Sequence, residues 1–321
     1  MVKFTSSSAR MWAKLGTRGT VGLALLEIAE LDNLMVLTAD LAKTSGLERF
    51  KNAYPDKLIN MGIAEQNMIC VAGGLAKEGQ LVYVTTFANF AAMRSYEQVR
   101  LNLGYMKLNV KIIGIGSGLS MAMFGNTHYG IEDIALMRAI PNMTVVSPAD
   151  GMETVKLIIA SSTYDKPMYI RLTGVTNAPI IYKEDYEFTI GKAITLREGK
   201  DITIFANGSM VHPSLMAAEL LVEKGIDAKV VNMHTIKPLD IEVIEEACVH
   251  SELIVSVEEH SVVGGLGSAI SEYTATMSNT PQQLFIGLKD AFIKSGSYEF
   301  MKKNNGLTAE GIVEIILETL N

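Results

Sequence analysis

Asn60-Met61-Gly62-Ile63-Ala64-Glu65-Gln66-Asn67-Met68 puts one carboxylate at the start of an apolar, small-residue helix. Ile63, Met68, Ile69, Val71, Ala72 and Leu75 surround it, and their spacing predicts a helix over 63–77. A carboxylate among such neighbours is costly to keep ionised, because desolvation disfavours the charged form. A chain tolerates that cost most readily where a poised proton is useful. The plainer alternative is a Glu at an exposed helix end, bonded to a backbone N–H. On either side, residues 34–38 and 81–85 read as short buried strands. Strand, helix and strand in that order point to a parallel sheet covered by helices, an α/β fold.

The pattern continues outward. Residues 110–114 and 143–146 are further buried strands, and helices are predicted near 18–30, 88–102, 131–138 and 149–162. Ser147-Pro148-Ala149-Asp150 reads as a helix start, with Ser147 as N-cap, Pro148 first in the helix and Asp150 third. The composition shifts after Arg171-Leu172, and Asn177-Ala178-Pro179 with residues 182–187 forms a connector. A second alternation follows, with strands at 202–206, 228–232, 253–257 and 283–287 and a helix near 211–224. Two domains are expected, 1–185 and 186–321, each a mostly parallel sheet covered by helices.

Composition narrows the class. Of 321 residues, 48% are apolar and 20% charged, as in a globular protein that keeps to water. The net charge of −7 argues against a nucleic-acid or anionic-membrane partner. It leaves room for a phosphorylated substrate held by a local site. No apolar run reaches the ~18 residues of a membrane span, and the polar start lacks a signal peptide's apolar core. Cys70 and Cys248, far apart and outside any CxxC, fit reduced structural thiols in a cytoplasmic protein. The 18 methionines fit core gap-filling.

Three further features carry chemistry. Thr86-Phe87-Ala88-Asn89-Phe90 sets two aromatics just past a strand end, where ligands of open α/β sheets sit. Such a pair also serves as ordinary core. Phe124-Gly125-Asn126-Thr127-His128-Tyr129-Gly130 is a glycine-flanked loop with one histidine. A histidine there suits proton transfer to hydroxyls, or caps a helix starting near Gly130. His212, His234 and His250 have no motif around them and read as surface or helix-end residues. His260 precedes Gly264-Gly265-Leu266-Gly267, a glycine cluster read as close strand–helix packing.

Taken in order, Ala39-Asp40-Leu41, Gly62-Ile63-Ala64-Glu65-Gln66, Thr86-Phe87-Ala88-Asn89-Phe90, Gly125-Asn126-Thr127-His128, Ser147-Pro148-Ala149-Asp150 and the segment from Val257 to Gly267 resemble the C-terminal half of transketolase. That half is the pyrimidine-binding part of a thiamine diphosphate enzyme. The resemblance spans nearly the whole chain. It implies that Glu65 bonds the cofactor's pyrimidine N1′, that Ile63, Phe87 and Phe90 line the ring's pocket, and that His128 contacts the donor sugar. The family's Gly-Asp-Gly motif for diphosphate and metal is absent from this sequence. The resemblance therefore implies a separate N-terminal transketolase subunit that carries this motif, in a heterotetramer with two copies of each chain. Thiamine diphosphate would be held with Mg²⁺ (or Ca²⁺) mainly by that partner, with no metal ligand from this chain.

Family sugar-contact positions fall here at Gly116, Phe124 and Gly174, with Arg171 near the last. Thr44 or Ser45 remain to reach a substrate phosphate. The implied activity is transfer of a two-carbon ketol unit between sugar phosphates, as in pentose phosphate metabolism. Two alternatives share the scaffold: the beta subunit of a 2-oxoacid dehydrogenase decarboxylase component, and a deoxyxylulose-phosphate synthase-like half. A third, of another class, is a non-catalytic regulatory or assembly subunit.

Overall fold

The computed structural model describes residues 3–320. Its strands are β1 (Leu34–Thr38), β2 (Leu58–Asn60), β3 (Leu81–Phe87), β4 (Val110–Ser117), β5 (Thr144–Val146), β6 (Met168–Thr173), β7 (Ile194–Arg197), β8 (Ile202–Ala206), β9 (Ala228–Asn232), β10 (Thr235–Lys237), β11 (Leu253–Ser261) and β12 (Gln282–Leu288). Its α-helices are α1 (Ser6–Leu26), α2 (Glu48–Ala53), α3 (Glu65–Lys77), α4 (Tyr96–Gln98), α5 (Asp133–Ala139), α6 (Gly151–Ser161), α7 (Val211–Val222), α8 (Ile241–His250), α9 (Leu266–Thr274), α10 (Tyr298–Asn304) and α11 (Ala309–Leu320).

Two sheets result. A seven-stranded sheet runs β10-β5-β6-β4-β3-β1-β2, and a five-stranded one runs β12-β11-β8-β9-β7. In the first, only β10 is antiparallel, on β5; in the second, only β7 is, on β9. The expected pair of mostly parallel α/β sheets is therefore present. Helices on both faces explain why β4 is buried at every position, even at Lys111, whose ammonium donates to the Asn109 side chain and to the carbonyls of Tyr164 and Lys166. Strand β10 is not among the expected strands. It comes from the second half of the chain, yet it closes the edge of the first sheet beside Val145 and Val146. One apolar cluster accordingly joins Met68, Val84, Ile112 and Tyr169 to Phe205, Val231, Ile236 and Ile254.

Several helices differ from expectation for local reasons. Helix α1 starts far earlier, at Ser6, because Thr5 caps it by accepting a hydrogen bond from the Ser8 N–H. It kinks at Gly16 (φ 70°), where a Cβ would lie 2.0 Å from the Val175 carbonyl oxygen. Asp150, not Ser147, caps α6. Its Oδ1 accepts the Glu153 N–H at 2.9 Å, and its Oδ2 accepts those of Ile181 and Tyr182. One carboxylate thus fixes both the helix and the returning connector, so Pro148 stays outside the helix. The stretch after β3 is wound wide: Phe90–Arg94 and Val99–Tyr105 are π-helical around α4.

The progression of strands reverses direction between β1 and β3, with β2 on one side and β4 on the other. Ligand crevices of open α/β sheets form at such points, outside the carboxyl ends of the strands. Thr38, Phe87, Ser117 and Thr173 end their strands at this edge.

Candidate functional site

The turn that aims Glu65 is built by Asn60. Its side-chain oxygen accepts the N–H groups of Asp40 and Gly62, and its amide donates to the Asp40 carboxylate at 2.9 Å. Gly62 takes φ +69°, and Glu65 becomes the first residue of α3. There the helix's N-terminal partial charge favours an anion. Glu65 is 3% exposed. Its side-chain partner is Arg94, whose Nη1 lies 3.0 Å from both carboxylate oxygens. The same guanidinium lies over the Phe90 ring, with its carbon 3.9 Å from the ring centroid. Nothing in the sequence pairs Arg94 with Glu65; there, residues 94–100 read as polar groups for a subunit interface or as a solvated helix face.

Phe87 ends β3, and Phe90 opens the first π-turn. Their rings meet edge-on, 5.8 Å apart at 80°. His128 closes the cluster, 5.4 Å from Phe90 and 5.8 Å from Phe87, with the exposed Phe124 ring 5.2 Å away. Helix α5 starts only at Asp133, so His128 caps no helix. Its Nδ1 lies 2.9 Å from the Thr127 hydroxyl, and the Asn89 amide donates to the Thr127 carbonyl at 2.7 Å. Asn89 and Thr127 therefore set the histidine's pose. The side-chain oxygen of Asn89 is buried without a partner. Ile63 stands 77% exposed at the rim.

The histidine loop rests on a buried polar network. Arg171 is 1% exposed; its Nε donates to Asp133, and its Nη2 donates to the carbonyls of Gly130 and Glu259. Tyr169 donates to Asp133 at 2.6 Å. Arg171 is thus internal bracing, and it does not face a substrate. Glu259 accepts the Leu119 N–H and the Tyr298 hydroxyl, which ties the loop to the second sheet. Glu258 accepts the N–H groups of Leu266 and Gly267, and burial pushes its carboxyl up to about 7. A Cβ at Gly265 would lie 1.9 Å from that carboxylate, so the glycine cluster serves close packing at the start of α9.

His234 is not at the surface: it is fully buried against Phe188, and burial pushes its imidazole down to about 4. Ser45 is also interior, and its hydroxyl donates to Thr85. That placement removes it from a solvent-facing site. Thr44 beside it stays half-exposed. Arg18 had no motif to mark it. It is half-buried on α1, and a Cβ at Gly174 would lie 3.4 Å from its Nη1 and 3.2 Å from the Ser120 hydroxyl. Burial lowers its pKa. Cys70 and Cys248 are free thiols outside this cluster. Among the described residues, no helix is long and apolar enough to cross a membrane.

Two domain families match this chain: "Transketolase, pyrimidine binding domain" over residues 13–174, and "Transketolase, C-terminal domain" over residues 191–312. A putative transketolase C-terminal section from Methanocaldococcus jannaschii is 40% identical over 308 residues, 95% of this chain and 96% of that protein. A 6-deoxy-6-sulfo-D-fructose transketolase subunit from a Clostridium species is 41% identical, over 90% of this chain and 89% of its own. A subunit of an apulose-4-phosphate transketolase from Phocaeicola vulgatus is 38% identical, over 92% of this chain and 94% of its own. Among solved structures, a split gene transketolase described as an inactive beta4 tetramer superposes with a TM-score of 0.86 at 38% identity, covering 94% of this chain and 97% of its own. With the same two domains in the same order, matched nearly end to end, the chain belongs to the transketolase family as a C-terminal subunit of the split type.

Proposed function

We propose that this subunit, with an N-terminal partner, transfers a two-carbon ketol unit between sugar phosphates using thiamine diphosphate. The observation that carries the reading is the convergence of a buried carboxylate, an aromatic face and a histidine at the carboxyl end of β3. The residues fit the cofactor's aminopyrimidine. Glu65 and Phe90 already receive a flat, N–H-bearing group together, the Arg94 guanidinium. When bound, the cofactor supplies a thiazolium carbanion that carries the ketol fragment.

This chain's residues do the remaining work. Glu65 holds or shares a proton at the pyrimidine nitrogen, in a dry spot where the bond is strong. Phe90 provides the stacking face, while Phe87 and Ile63 bound the pocket. His128, posed by Thr127 and Asn89, reaches the donor's hydroxyls. Arg18, with Ser120 near Gly174, offers a cationic end for the sugar's anionic group, and the half-exposed Thr44 supplies a further hydroxyl. Relatives named for a sulfonated and a phosphorylated sugar fit an anion-tailed substrate. The partner holds the diphosphate and its Mg²⁺ (or Ca²⁺), and two copies of each chain assemble into a heterotetramer.

The test is ketol transfer by the assembled pair, followed by mass spectrometry of the products. Glu65→Gln keeps the size but cannot share its proton in the same way. We expect it to lower the rate by at least ~10²-fold, the lower end for a general acid–base group. A wild-type rate in Glu65→Gln would remove Glu65 from the chemistry.

A further inference from the structure

We propose that Arg94 is a stand-in for the cofactor's pyrimidine, which occupies its slot in the uncomplexed chain and withdraws when the ring enters. The inference rests on the function proposed above. Its starting point is that Arg94 uses both surfaces assigned to the ring. Its Nη1 is 3.0 Å from each oxygen of Glu65, and its guanidinium carbon is 3.9 Å from the centroid of Phe90. A guanidinium resembles an aminopyrimidine in the features this slot reads. Both are flat, both present N–H donors in the plane, and both stack on aromatic faces. At 3.9 Å the face of Phe90 has no room for a second planar group. Occupation by Arg94 and by the ring is therefore exclusive.

The physical need is a counter-charge. Glu65 is 3% exposed, and a buried carboxylate without a partner is costly. Before the cofactor arrives, Arg94 supplies that partner. The local backbone suits a residue that must leave. Arg94 closes the π-turn Phe90–Arg94, and its side chain is 46% exposed, with water on its outer side. Wide turns of this kind recur at functional sites. The rotation of one long side chain about its own bonds clears the slot without moving the helix. The ring's entry then exchanges one partner of Glu65 for another, so the carboxylate is never left alone.

The consequence is that Arg94 competes with the cofactor. The measurement is thiamine diphosphate affinity of the assembled complex with Mg²⁺, by calorimetry, together with the melting temperature of the free chain. Arg94→Met keeps apolar cover on Phe90 and removes the competitor. We expect binding to tighten by about 10-fold, while the free chain melts at a lower temperature. In a Glu65→Gln background, where no ion pair is broken, the gain from Arg94→Met should shrink to less than about twofold. Arg94→Lys, which retains charge but not the flat fork, should fall between wild type and Arg94→Met, and it covers the case of a poorly folded Met variant. Unchanged or weaker binding in both variants would overturn the proposal, because Arg94 would then belong to the loaded site. A wild-type complex that binds no thiamine diphosphate would instead overturn the functional reading, and this inference with it.

Discussion

His128 is placed by two short polar links, Thr127 to its Nδ1 and Asn89 to the Thr127 carbonyl, and by three aromatic edges. None of these contacts involves Glu65. Its loss should therefore harm the sugar steps and spare cofactor binding. We expect His128→Ala to lose about 10²-fold in kcat/KM, with cofactor affinity in calorimetry close to wild type. Full ketol transfer by the mutant would reduce His128 to a packing residue of its loop.

His260 shows a different kind of histidine. It is fully buried between Asp133 and Glu258; its Nδ1–H donates to the Ser261 carbonyl, and its Nε2 accepts the Ala135 N–H. Burial pushes it down to about 4, outweighing the pull of Asp133. Below the unfolded value of ~6.5 the unfolded chain takes up a proton that the folded chain refuses, so this residue's contribution falls as pH drops from ~6.5 towards 4. A His260→Gln chain should be less stable at pH 7.5 by roughly 1–3 kcal/mol. That deficit should narrow at pH 5 in urea unfolding at fixed protein concentration. A pH-independent deficit would mean that His260 does not stay neutral in the folded state.

At the scale of elements, the helix starts do the positioning. Helix α3 has no side-chain cap; Gly62 and the Asn60 turn bring Glu65 to its first position instead. Helix α6 relies on Asp150, whose two oxygens accept three backbone N–H groups from two segments. Burial pushes that carboxyl up to about 6 against the pull of those bonds. Asp150→Ala would strand all three donors in the interior. We expect a loss of roughly 2–4 kcal/mol, read by urea unfolding. A loss below about 0.5 kcal/mol, the usual range for unlinked surface changes, would show that other groups satisfy those donors.

At the scale of the whole molecule, the site is one-sided. Glu65, Phe90 and His128 present a carboxylate, a ring face and an imidazole, and Ile63 and Arg94 border open solvent. The function proposed above leaves the diphosphate to the partner. The pure chain is accordingly expected to show little or no thiamine diphosphate binding in calorimetry, even with Mg²⁺, and to gain it on adding the partner. Tight Mg²⁺-dependent binding by the chain alone would contradict the split arrangement. Arg171 and Glu259 show why the second half of the chain matters to this site. They brace the histidine loop from beneath, across the boundary between the two sheets.

The sequence alone determined the α/β class and the strands β1, β3, β4, β5, β8, β9, β11 and β12, while the resemblance to a known family grouped Glu65, Phe87, Phe90 and His128. Apolar runs of strand length and glycine-flanked turns are local properties, readable in one dimension. The family resemblance added the order of the motifs. Only the tertiary structure decided the rest. Strand β10 adds to the first sheet because Val145 and Val146 leave an edge to be paired, and no local pattern at Thr235–Lys237 encodes that edge. The interior places of Ser45, Arg171, His234 and His260 follow from partners distant in the chain or from burial between packed layers, where a polar residue is satisfied only in three dimensions. Arg94 meets Glu65 across 29 positions. That contact depends on how a π-turn after β3 folds back over α3, and no spacing rule in the sequence foretells it.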